Sequence, residues 1–101
     1  MKIILNHKSN LTYKEIINYY KEYKELDTKH DLIVCPTMCY LPIFKDVVLG
    51  GQDISPYKLG SYTGEVSGEA LKSLGVKYVF INHSERRHLN NEPLELAKEK
   101  L

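Results

Sequence analysis

The chain has almost no charge of one sign to spare: fourteen basic residues face thirteen acidic ones, and the formal net charge is +1. That balance excludes the basic footprint of a nucleic-acid binder and the polybasic patch that holds a protein on an anionic membrane. Long apolar runs are missing too. The opening Met1-Lys2-Ile3-Ile4-Leu5 meets Asn6 and Lys8 at once, too short for a signal-peptide core or a membrane span, so a cytoplasmic protein is expected. Cysteine is scarce. Cys35 and Cys39 flank Pro36 at a spacing that fits neither a zinc pair nor a redox Cys-x-x-Cys, which leaves buried or half-buried reduced thiols. His7, His30 and His88 lack a second ligand-type residue at metal spacing, so no metal site is expected. Gly50-Gly51 opens no Gly-x-Gly-x-x-Gly pattern and is not a nucleotide loop. Linkers and low-complexity segments are absent as well.

What is present reads as globular: 43% of residues are apolar and 27% charged. Short apolar runs alternate with helical stretches, which predicts βα units and a parallel sheet. Strands are expected at Lys2–Leu5, Asp31–Cys35, Val47–Gln52 and Val76–Ile81. Pro36 closes the second, because proline removes a ladder donor. A first helix begins near Thr12, which forms a Thr-x-x-Glu capping box with Glu15 and precedes Ile16, Ile17, Tyr20 and Tyr23 at helical spacing. Tyr13 and Tyr19 extend that packing face. A short turn or helix is expected at Leu41–Lys45 and a polar loop from Asp53 to Gly64. Ser67 caps a helix through Ala70, Leu71 and Leu74 that Gly75 ends, and a last helix starts near Pro93.

The densest chemistry lies where the fourth run stops, at Asn82-His83-Ser84-Glu85-Arg86-Arg87. Ligands of parallel α/β proteins bind beyond the carboxyl ends of strands, so this cluster is the leading candidate site. Arg86-Arg87 beside Glu85 reads as structural pairing rather than an anion patch. Asn6 and Lys8 leave the first strand on one face, because alternate strand residues point the same way.

The cluster resembles the histidine motif of the triosephosphate isomerases. Asn6-His7-Lys8 resembles the family's asparagine-x-lysine element, Val34-Cys35-Pro36 with Tyr40-Leu41 its second strand exit, and Leu49-Gly50-Gly51-Gln52-Asp53 and Gly60-Ser61-Tyr62-Thr63-Gly64-Glu65-Val66-Ser67 its third strand and dimer-contact loop, in order along essentially the whole chain. Glu92 and Lys100 also fall where the family tends to have them. His7 stands where the family usually carries tryptophan, Ser9-Asn10 replaces a more usual Met-Asn, and the second helix is much shortened.

The resemblance implies an α/β fold of the (β/α)8 barrel class, and interconversion of dihydroxyacetone phosphate and D-glyceraldehyde 3-phosphate through an enediolate, without a cofactor. His83 would be the electrophile, a neutral imidazole; a histidine kept neutral by a helix N-terminus is this family's own known example and is taken over with the resemblance. Ser84-Glu85-Arg86-Arg87 could begin such a helix. Lys8 would hold a positive charge near the carbonyl oxygen and phosphate, and Asn6 would complete the oxyanion side. Ser84 and Glu85 would support the site. Glu65 and Arg86 would form a structural ion pair, and Thr63 would reach a partner subunit's pocket, which implies a homodimer.

A closed barrel of this class needs about 250 residues. The 101 residues here hold four expected strands, so the reading is one domain, residues 1–101, forming the N-terminal half of a barrel and cut off in the helix after strand four. The family's general base, a glutamate of the sixth strand, has no counterpart in this chain. The chain alone is expected to be inactive, unstable or oligomeric, because half a barrel leaves open edges and an uncovered apolar face. A non-catalytic half-barrel module that binds a phosphometabolite or pairs with another chain is the alternative.

Overall fold

A computed structural model describes residues 1–101. Strand β1 (Lys2–Asn6) pairs in parallel with β2 (Asp31–Cys35), with Ile4 opposite Ile33 and Asn6 opposite Cys35. Parallel neighbours need a long crossover, and helix α1 (Tyr13–Tyr23) supplies it. The N–H and hydroxyl of Thr12 both donate to the Glu15 carboxylate, at 3.2 and 2.8 Å, so the expected capping interaction opens the helix. Those bonds hold the Glu15 carboxyl below its usual value. Ile16 is buried completely and Tyr19, Tyr20 and Tyr23 pack on the same core, whereas Tyr13 stays exposed. The tyrosine face is therefore narrower than the spacing suggests.

After β2 the chain makes a 3-10 helix at Met38–Ile43, earlier than the Leu41–Lys45 turn expected, and buries Leu41. Strands β3 (Gly50–Gly51) and β4 (Tyr78–Val79) pair in parallel and are both shorter than expected. The reason is local bonding. The carbonyl of Leu49 accepts from both Lys77 N and Tyr78 N, which breaks the even spacing of a parallel ladder, and β4 has no strand on its far side. One isolated parallel bridge, Val34 with Leu49, joins the two pairs and gives the spatial order β1-β2-β3-β4.

Helix α2 (Gly68–Ser73) begins at Ser67, whose hydroxyl accepts from Ala70 N at 3.1 Å, and Gly75 follows it in the left-handed region at φ +80°. Helices α3 (Ser84–Leu89) and α4 (Leu94–Lys100, preceded by Pro93) end the chain. No helix is long and apolar enough to cross a membrane.

One face of the sheet packs on the helices. Val34 there joins Ile16, Leu41, Phe44, Leu49 and Leu71 in the buried core. The other face carries Ile4, Ile33, Cys35 and Tyr78 around a hollow of about 190 Å³. Ile33 and Cys35 are buried, but Ile4 is 52% and Tyr78 42% exposed, so this apolar face is half uncovered. Cys39 is exposed, contrary to the expectation of buried or half-buried thiols, because the 3-10 turn buries Leu41 and leaves Cys39 to solvent. Burial pushes the Cys35 thiol up to about 11, so it stays protonated and unreactive near neutral pH.

Gly50 is where β3 approaches β2 most closely: a Cβ built there lies 2.5 Å from Cys35 Sγ. Gly50→Ala is expected to destabilise the fold by about 1–3 kcal/mol through overpacking. A lower urea midpoint with an unchanged m-value is the measurement.

Candidate active site

All four strands run the same way, so their carboxyl ends share one rim. From β1 comes Asn6, whose Oδ1 accepts the Lys8 N–H at 3.1 Å. Lys8 takes φ +56°, a left-handed conformation uncommon outside glycine. Its carbonyl accepts from Thr37 Oγ1 and from Gln52 Nε2, each at 2.8 Å. From β4 the chain turns through Asn82 at φ +58°, a residue type that tolerates this region, and delivers His83 as the N-cap of α3. Its Nδ1 accepts the Glu85 N–H at 3.1 Å, and Phe80 stands edge-on to its ring at 5.7 Å.

Charge links the two sides. Lys8 Nζ lies 2.7 Å from Glu85 Oε1, and Glu85 Oε2 lies 3.9 Å from His83 Nδ1. The bond from Lys8 holds the Glu85 carboxyl below its ordinary value, against an opposing effect of desolvation. Asn6, Lys8, Gln52, His83 and Glu85 surround a polar hollow of about 350 Å³. Ser84 is exposed and does not line it.

The remaining expected site residues are placed differently. Thr63 and Glu65 are exposed on the loop before α2. Glu65 does not meet Arg86, because acidic groups nearer in space take the guanidinium: Asp53 Oδ2 at 3.4 Å and Glu92 Oε1 at 3.9 Å. Those two carboxylates belong to a cluster that the sequence reading did not assemble. Lys100 Nζ donates to Asp53 Oδ1 at 2.8 Å and to Glu92 Oε1, and both the Lys100 and Glu92 side chains are buried. Burial alone would lower the Lys100 ammonium, but its bonds to Asp53 and Glu92 outweigh that and raise it. The signal available in the sequence was the recurrence of Glu92 and Lys100 at family positions.

The sequence profile described as triosephosphate isomerase matches residues 1–101. This chain belongs to the triosephosphate isomerase family. The triosephosphate isomerase of Clostridium botulinum (strain Loch Maree / Type A3) is 42% identical over 95% of this chain and 42% of its own length. That of Wolbachia sp. subsp. Brugia malayi (strain TRS) is 36% identical over 96% of this chain and 44% of its own length. The chain thus spans less than half the length of these triosephosphate isomerases.

Against the triosephosphate isomerase pattern, the departures Ser9 and Asn10 line the hollow, and His7 lies buried behind it. This histidine is 8% exposed, lies edge-on to Tyr19 at 4.2 Å and to Phe44 at 6.3 Å, and neither ring nitrogen has a hydrogen-bond partner. Burial lowers its pKa below the ordinary 6.5. The unfolded chain therefore takes up the proton first. The contribution of neutral His7 is intact above the unfolded value, declines as pH falls below it, and levels off beneath the folded value. His7→Phe is expected to flatten that acid-side decline, read as urea midpoints between about pH 7.5 and about pH 5.

Proposed function

We propose that residues 1–101 are the N-terminal half of a (β/α)8 barrel and supply the electrophilic side of a site that interconverts dihydroxyacetone phosphate and D-glyceraldehyde 3-phosphate. The observation that carries this reading is the run of Lys8, Glu85 and His83 across a polar hollow at the strand exits. His83 Nδ1 is occupied as an acceptor, so a neutral imidazole carries its proton on Nε2, the nitrogen left to donate to a substrate carbonyl oxygen. As a proton leaves the adjacent carbon, negative charge develops on that oxygen, and the fixed charge of Lys8 stabilises it. Asn6 uses its Oδ1 on the Lys8 N–H and keeps its Nδ2 for the substrate. The enediolate and phosphate oxygens compete with Glu85 for the ammonium, so the Lys8–Glu85 pair is the resting arrangement that substrate replaces.

The general base comes from outside residues 1–101, and the reaction takes no cofactor. On this reading the exposed Thr63 belongs to the contact of a cytoplasmic homodimer. The experiment is an isomerase assay of the chain alone and mixed with the complementary C-terminal part of the Clostridium botulinum relative. No turnover alone and turnover on mixing is the expected result. Activity of the unmixed chain that His83→Gln removes would sink the claim that the base lies elsewhere. No turnover in any mixture would sink the isomerase reading and favour a non-catalytic half barrel that pairs with another chain, for which the exposed Ile4 and Tyr78 provide an apolar contact face.

A further inference from the structure

We infer that Thr37 and Gln52 are positioning residues that fix the backbone of Lys8, and through it the place of the ammonium. The inference deepens the isomerase reading and rests on it for the role of Lys8. A lysine in the left-handed region persists only where its surroundings over-determine it. Three side chains do so here. Asn6 Oδ1 holds the N–H of Lys8 at 3.1 Å, and Thr37 Oγ1 and Gln52 Nε2 both donate to its carbonyl at 2.8 Å. A carbonyl oxygen has two lone pairs, so these donors complete it, and rotating the peptide plane breaks both bonds at once.

The three side chains arrive from different places: the end of β1, the turn after β2, and the residue after β3. Gln52 is itself held, because the same Nε2 donates to Cys35 O at 3.0 Å, and Cys35 O also accepts the His7 N–H at 3.0 Å. The backbone on both sides of the β1–β2 exit is therefore tied to one amide. Thr37 adds the second donor from the opposite strand connection. With its backbone fixed in this way, Lys8 meets Glu85 at 2.7 Å across the hollow.

The test is NMR on the 101-residue chain. A left-handed φ brings an amide proton close to its own α proton, so wild-type Lys8 shows a strong intraresidue NOE. Thr37→Val and Gln52→Met are each expected to weaken it, and the double variant to reduce it to the level of extended residues. The Glu85 carboxyl then titrates closer to its ordinary value because Lys8 has left it, and Thr37→Ser, which keeps the hydroxyl, retains the wild-type pattern. A role confined to packing would not move the Glu85 titration. The inference is overturned if a folded double variant keeps the full Lys8 NOE, or if Thr37→Ser behaves like Thr37→Val. Should the double variant unfold, Thr37→Val alone decides, and a full-strength NOE there overturns the proposal. Loss of the NOE together with no turnover in the mixed assay leaves the clamp standing and sinks only the isomerase reading.

Discussion

Lys100→Met is expected to cost about 3–5 kcal/mol, the usual loss when one partner is removed from a buried ion pair. The side chain is 3% exposed and bonds both Asp53 and Glu92, so methionine replaces the stem and removes only the charge and its donors. Glu92, itself 1% exposed at the side chain, then retains only Arg86 Nε at 3.9 Å. Against a total of about 5–15 kcal/mol for a typical domain, that loss is large enough to remove much of the cooperative transition. Chemical denaturation followed by circular dichroism measures it. The companion variant Lys100→Met/Glu92→Leu should recover much of the loss, because the buried charge left behind, more than the lost attraction, carries the penalty. The pH signature lies on the alkaline side: the raised Lys100 contributes its stability below the ordinary lysine value, and loses it as pH rises through the folded one.

His83→Gln is expected to lower kcat of the reconstituted enzyme by about 10²–10³, the scale seen when one oxyanion donor is removed. Glutamine places its Oε1 nearer the position of Nε2 than of Nδ1, so the Glu85 N–H loses its capping acceptor, at a cost to folding of about 0.5–2 kcal/mol. What it cannot do is present a ring N–H in the same place and pass a proton between two oxygens. KM should change far less than kcat, because the lost interaction is made mainly in the transition state. Steady-state kinetics with both substrates give the split. An equal rise in KM at constant kcat would place His83 in binding alone.

The features legible in the sequence were those whose physics is local. Thr12 with Glu15, Ser67 with Ala70, Gly75 at positive φ and Pro93 at a helix start each involve residues within one turn, and each is found. The His83 and Glu85 side of the hollow was legible because ionisable residues crowd one strand exit, whereas Asn6 and Lys8 stood out only through the family resemblance; all four line it. Partnerships across long separations were not. Lys100 reaches Asp53 over 47 positions, and no spacing rule points from one to the other. Glu65 and Arg86 looked like a pair by resemblance, but within this chain Asp53 and Glu92 are nearer. Strand lengths failed for a related reason: Val47, Val48, Val76 and Ile81 have strand-like side chains, but the ladder bonds of the neighbouring segment decide where β3 and β4 end.

Asn6 and Lys8 ride on the β1–β2 pair, while His83 and Glu85 follow the β3–β4 pair. A single bridge between Val34 and Leu49, with Val34 N donating to Val48 O at 2.9 Å, is the ladder contact across that seam. The lysine and the histidine are thus joined through one sheet joint, with Gln52 acting as its staple. Amide exchange at Val34 is the expected gauge of how far that joint, and the polar hollow above it, opens.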